Sequence, residues 1–465
     1  MGVAISNWRL ARTVCSLGQL GVVSGTALDQ VLARRLEDGD PGGHMRRAFD
    51  AFPFPAMAER VWNTYYIRGG KARGAPYTRL PFHELECPRP LAEIGIIGNF
   101  VEVFLAREGH ANPVGINYLE KIQTPHLTAI YGAMLGGVAY VLMGAGIPLK
   151  IPGVLDAYVE HQPATYPLYV VGAQAGDDTT LRFTPREFME SELPPLARPR
   201  FLPIIASNAL AVTMLKRANG RVDGFVVEGP TAGGHNAPPR GKVALSDRGE
   251  PVYGERDKID LARMRDLGVP FWLAGGFGAA EFLQQAVAAG AAGVQVGTAF
   301  AYCAESGLRD DYRQAVLEKV TRGEGRVFTD PLASPSGFPF KVVQLEGTIS
   351  ESDVHLARRR VCDLGYLREA YRAADGRIEF RCPSEPLSAY VGKEGRAEDT
   401  VGRKCICNAL VATAGAPQTR AQGRLVEAGI VTSGDDLVGL ARFMRPGSTS
   451  YTAADVIRVI LNGRE

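Results

Sequence analysis

The run Val226-Val227-Glu228-Gly229-Pro230-Thr231-Ala232-Gly233-Gly234-His235 carries an apolar, β-rich stretch into a glycine pair and then a histidine. Glycines lack a Cβ, so the backbone can pass close to a flat ligand, and the side chain that follows projects over it. An imidazole titrates near working pH, which makes His235 a candidate proton acceptor and donor. A lone loop histidine is most often only a hydrogen-bonded loop residue. Here the loop leaves the carboxyl end of an expected strand, where barrel enzymes keep their reactive groups, and His235 reads as catalytic.

Two glycine turns follow. Phe271-Trp272-Leu273-Ala274-Gly275-Gly276-Phe277-Gly278 leads into a helix from Ala279, and Gly293-Val294-Gln295-Val296-Gly297-Thr298-Ala299-Phe300 ends a strand on Gly-Thr one unit later. A strand, a glycine turn and a helix N-terminus together suit a phosphate, because free N–H groups and the helix dipole point at the anion. Either turn alone is weak evidence, since most glycine turns are only turns. Two in consecutive units match the shared phosphate site after the last two strands of many barrels. A dinucleotide-binding reading would need G-x-G-x-x-G near the first strand and an acidic residue about 20 positions on. The stretch Ala274–Gly278 lacks that spacing.

These turns require a scaffold of βα units. Apolar runs at Leu20–Ser24, Val114–Asn117, Tyr140–Met143, Leu202–Ala206, Gly224–Val227, Phe271–Ala274 and Gly293–Val296 read as strands, and a stub at Gly2–Ile5 brings the tally to the barrel number of eight. Asn7–Leu17, Ile96–Arg107, Ala209–Arg217 and Ala279–Ala289 read as helices. The expected fold is therefore α/β, a (β/α)8 TIM-type barrel over 1–346, with insertions at about 38–89 and 171–200. The first insertion is rich in Arg and aromatics, and reads as a solvated face with apolar anchors more readily than as a lid. The second should begin with a hairpin. Residues 347–465 should form a mostly helical extension, with helices at Glu351–Tyr371 and Ala453–Leu461. Lys121 reads as a surface lysine at a strand end.

The residues around the three turns resemble the nitronate monooxygenases, formerly called 2-nitropropane dioxygenases, whose relatives include FMN-dependent enoyl reductases. The resemblance runs roughly from Met1 to Lys341 and rests on Ala232-Gly233-Gly234-His235, Leu273-Ala274-Gly275-Gly276 and Gly293-Val294-Gln295-Val296-Gly297-Thr298. Gly115-Ile116-Asn117 and Arg326-Val327-Phe328-Thr329 resemble further family segments, and Met1-Gly2 looks like the end of the first strand. The resemblance implies FMN as cofactor and His235 as acid/base. It implies that Gly2, Gly233 and Gly234 border the flavin, and that Asn117 touches its ring or ribityl part. Glu228 stands where relatives carry glutamine near the polyhydroxyl chain, and Gly275, Gly276, Gly297 and Thr298 would hold the phosphate. The chain departs from the pattern in its nearly absent first strand, in Asn236-Ala237-Pro238-Pro239-Arg240, and in its large insertions and tail.

The implied activity is oxidation of nitronates or nitroalkanes with O2. NAD(P)H-dependent reduction of an enoyl thioester or quinone is the alternative on the same scaffold, and a flavin-carrying partner subunit is the non-enzymatic one. A net charge of +2 gives no electrostatic footprint for nucleic acid or an anionic membrane. Seven cysteines, without a secretory leader, suit a reduced cytoplasm. Self-association into a homo-oligomer stays open. Cys362, Cys382, Cys405 and Cys407 cluster in the tail, with one C-x-C and no C-x-x-C. That is not a familiar ligand pattern, and the expectation is buried free thiols with no metal.

Overall fold

In the computed structural model, which describes residues 2–462, the seven longer apolar runs become seven parallel strands. They are β1 (Gly21–Ser24), β2 (Val114–Leu119), β3 (Tyr140–Gly144), β4 (Arg200–Ile205), β5 (Phe225–Glu228), β6 (Phe271–Ala274) and β7 (Gly293–Gln295), hydrogen-bonded in that order in one sheet. A parallel sheet in sequential order, with a crossover between each pair, is the barrel connectivity. The expected eighth strand is absent. Gly2–Ser6 forms a turn, and Met1 lies outside the described residues. The Ser24 N–H donates to the Ser6 carbonyl at 2.8 Å and the Gly307 N–H to that of Ile5 at 2.8 Å. This turn therefore lies against the outer edge of β1 through isolated bonds instead of a ladder.

The strands alternate as their apolar pattern requires. Val141, Met143, Phe201, Ile205, Phe225, Val227, Phe271 and Leu273 pack into the main core with the helices. Leu142, Leu202, Val226 and Ala274 form a separate small cluster on the opposite face, with Val22, Ile204 and Trp272 against it. A fully buried Phe201 or Phe225 contributes about 2–3 kcal/mol to this arrangement. Register carries the alternation to the strand ends: Val226 pairs with Trp272 and Glu228 with Ala274, so Glu228 shares the inner face with Val226.

Helices start where their caps allow. Asn7 accepts the N–H groups of Arg9 and Leu10 ahead of α1 (Trp8–Ser16), and Ser207 accepts that of Leu210 ahead of α2 (Asn208–Arg217). The expected helix over Glu351–Tyr371 is corrected: only Ser352–Ala357 is helical, and Glu369–Arg372 is a strand paired with Ile378–Arg381. Gly365 stands between them at φ +71°, a left-handed turn that ends any helix. The hairpin expected to open at Val171 forms earlier, between Ala164–Pro167 and Thr180–Phe183, and Val170–Val171 pairs instead with the tail strand Glu369–Arg372. The insertion 38–89 has the expected solvated face, with Arg46, Arg47 and Arg60 exposed, over apolar anchors. Phe49, Phe52, Phe54, Met57 and Val61 are buried in the main core. Residues from the tail, including Tyr366, Ala370 and Val411, join the same core.

Candidate active site

One cavity of about 260 Å³ opens at the carboxyl ends of the strands. Its wall contains all ten positions singled out in the sequence: Gly2, Asn117, Glu228, Gly233, Gly234, His235, Gly275, Gly276, Gly297 and Thr298. They come from six separate segments, brought together because parallel strands present all their ends on one side.

The His235 loop is held from both sides. The Asn236 N–H donates to the Pro339 carbonyl at 3.0 Å and the Lys341 N–H to that of Gly234 at 3.0 Å. These bonds attach the loop to a hairpin of β8 (Val327–Asp330) and β9 (Phe340–Val343). From the tail, the Thr432 hydroxyl accepts the Gly234 N–H at 2.9 Å, and the Asp435 N–H donates to Thr231 at 3.0 Å. Gly233 is required by this approach, because a Cβ there would stand 2.7 Å from the Gly434 nitrogen. The imidazole packs edge-on against Phe340, and its Nε2 lies 2.7 Å from the Ser334 hydroxyl, which is 2.8 Å from that of Ser336. Lys121 is no surface residue. It is half-buried over the Phe338 ring at 3.4 Å and donates to the Ser336 carbonyl at 3.0 Å.

Burial shifts the two titratable groups toward their neutral forms. It pushes the Glu228 carboxyl up to about 7. It pushes the His235 imidazole down to about 3, and the nearby Lys121 ammonium acts in the same sense. The expectation of a histidine titrating near working pH is thus corrected: the ring is neutral. The surface that His235 still exposes borders the cavity it lines.

The cavity has the features a phosphorylated flavin needs. The Asn117 Oδ1 is buried with no hydrogen-bond partner among the described residues. A Cβ on Gly234 or Gly297 would meet no atom within 4 Å. The helix α3 (Ala280–Ala288) after the first glycine turn and the short helix α4 (Thr298–Ala301) after the second both begin without a side-chain cap, leaving their first N–H groups for another acceptor. Gly275 sits at φ +97°, and a Cβ there would be 2.9 Å from the Thr231 hydroxyl. Only glycine makes this turn.

Sequence reasoning missed the other half of the wall. Tyr366, Thr432, Gly434, Asp436 and Phe443 all come from the tail, in stretches with no motif of their own. The Gly434 N–H donates to the Thr298 hydroxyl at 2.9 Å, and Asp436 is neutralised by Arg442 at 2.8 Å. Neither insertion, 38–89 or 171–200, contributes a wall residue.

Residues 198–325 match the family model described as nitronate monooxygenase. The likeness to that family lies in this stretch. It spans β4 to β7, both glycine turns and His235, and it marks the chain as an oxidoreductase. No curated protein matches the sequence. Among solved structures, a FabK mutant from Thermotoga maritima is similar at 15% identity and a TM-score of 0.46, over 99% of this chain and 89% of that one. A nitroalkane oxidase from Streptomyces ansochromogenes is similar at 14% identity and 0.47, over 99% and 92%. The enoyl reductase domain of MlnA from Bacillus amyloliquefaciens is similar at 11% identity and 0.41, over 81% and 86%. These likenesses are of outline, and nothing further rests on them. Among the described residues no helix is long and apolar enough to cross a membrane.

Proposed function

We propose that the chain binds FMN in this cavity and oxidises nitronates or nitroalkanes with O2, with His235 as the acid/base. The observation that carries the reading is the convergence of the His235 loop, two uncapped glycine turns and the unpaired Asn117 carbonyl on one cavity. Gly275, Gly276, Gly297 and Thr298 would hold the phosphate through backbone N–H groups, and Asn117 and Glu228 would meet the polyhydroxyl chain. FMN, when bound, supplies the electron acceptor that O2 then reoxidises.

The protein's own part is position, a dry wall and a proton acceptor. A neutral imidazole has a free lone pair for the proton α to a nitro group, and the Ser334 hydroxyl orients the ring. Burial weakens it as a base, since the imidazolium is the disfavoured form. The anionic nitronate has already lost that proton. It is expected to turn over faster than the neutral nitroalkane at one pH, and a slower nitronate would count against the assignment.

Purification followed by an absorbance spectrum and release of the flavin tests the cofactor first. A colourless protein that takes up no FMN removes the reading. His235→Asn should keep the flavin and lose about 10²–10⁴-fold in neutral nitroalkane turnover. Unchanged turnover would take His235 out of the mechanism.

A further inference from the structure

Four of the seven cysteines, Cys362, Cys382, Cys405 and Cys407, are separated along the chain yet border one small cavity of about 10 Å³. Tight backbone features bring them there. Cys362 precedes the left-handed Gly365 at φ +71°, Cys382 opens a turn in which the Glu385 N–H returns to its carbonyl at 2.9 Å, and Cys405 caps the helix Ile406–Thr413. Backbone N–H groups lie near the sulfurs, those of Leu364 and Gly365 at Cys362, Ser384 at Cys382, Asn408 at Cys405 and Leu367 at Cys407. Around a metal centre such groups would stabilise bound thiolates.

Four sulfurs on one zinc, each at about 2.3 Å, would lie roughly 4 Å apart with no room between them. Among the described residues no three His, Cys, Asp or Glu side chains are placed to hold a single metal ion. The four thiols instead surround a space. In a four-cysteine cluster the thiolates are spread over two or four irons, so the sulfurs stand further apart than around one ion.

We propose that Cys362, Cys382, Cys405 and Cys407 ligate an iron–sulfur cluster. In such a centre the four would bind as thiolates, since a coordinating thiol is deprotonated by the metal's charge. Leu367, Ile406 and Cys407 line this cavity and the large one alike, so the cluster would share a wall with the active-site cavity. The assignment does not depend on what that larger cavity holds.

The test is iron and acid-labile sulfide analysis of the full chain purified without oxygen, with the flavin released and measured separately. About two to four of each atom per chain, and a paramagnetic signal on reduction with dithionite, are expected. Cys362→Ser and Cys382→Ser should each lose most of the iron and sulfide. Absence of both atoms from the wild-type protein, even after anaerobic incubation with ferrous iron and sulfide, overturns the proposal whether or not the variants fold. So does stoichiometric zinc in their place. So does a disulfide between any two of the four.

Discussion

Glu228 ends a strand and His235 lies seven residues beyond it, yet the same burial moves them in opposite directions on the pH scale. The carboxyl is raised to about 7 and the imidazole lowered to about 3. Each shift links pH to stability. Because the folded state holds the Glu228 proton more tightly than the unfolded chain does, that group's contribution is complete at low pH and fades as pH rises through about 7. The folded state resists protonating His235, so its contribution is complete above the ordinary imidazole range and fades as pH falls toward about 3. The flavin-free protein should therefore be most stable slightly below neutrality. Glu228→Gln should flatten the alkaline limb, raising stability at pH 8 by on the order of 1–3 kcal/mol and leaving pH 5 nearly unchanged. Denaturant titrations of both proteins at the two pH values check this, and parallel curves would show that Glu228 is not the group responsible.

At the scale of elements, the glycine turn after β6 joins sequence to site most directly. Gly275 is left-handed at φ +97° and faces Thr231. Gly275→Ala should cost about 1–2 kcal/mol in stability from the backbone alone. It should also lower flavin retention, read as the fraction of FMN surviving gel filtration. Full retention would detach this turn from the phosphate. Such turns and the seven strands were legible because their causes are local: β-rich apolar runs of three to six residues, each closing at the site side. The stub at Gly2–Ile5 was not, since four residues give no ladder to read and the pairing depends on Ser6 and Ser24. Glu351–Tyr371 misled for a different reason. Leu356, Leu364 and Leu367 recur as a helix face would, but Leu364 and Leu367 instead face the active-site cavity. Periodicity reports that residues are buried, not against what.

At the scale of the whole molecule, the tail completes the active-site cavity, and one ion pair fastens it there. Lys341 on β9 is buried, with its ammonium donating to the Thr329 hydroxyl at 2.9 Å and to Asp435 at 2.6 Å. Asp435 adjoins Gly434, whose N–H reaches Thr298 beside the second glycine turn. No local signal marks this contact, because its two sides are 94 residues apart. The Asp435 side chain is 46% exposed, so the pair falls between an exposed one of about 1 kcal/mol or less and a buried one of about 3–5 kcal/mol. Asp435→Ala should cost roughly 2 kcal/mol, chiefly by leaving the Lys341 ammonium buried with the Thr329 hydroxyl alone. If that is the cause, adding Lys341→Met should restore much of the loss, because an apolar side chain of similar length removes the stranded charge. Flavin retention should follow a different course. It should fall in Asp435→Ala and stay low in the double variant, since neither protein keeps the ion pair that helps hold Thr432–Asp436 over the site. Recovery of stability and retention together would mean that the tail is held by its packing, with the ion pair incidental.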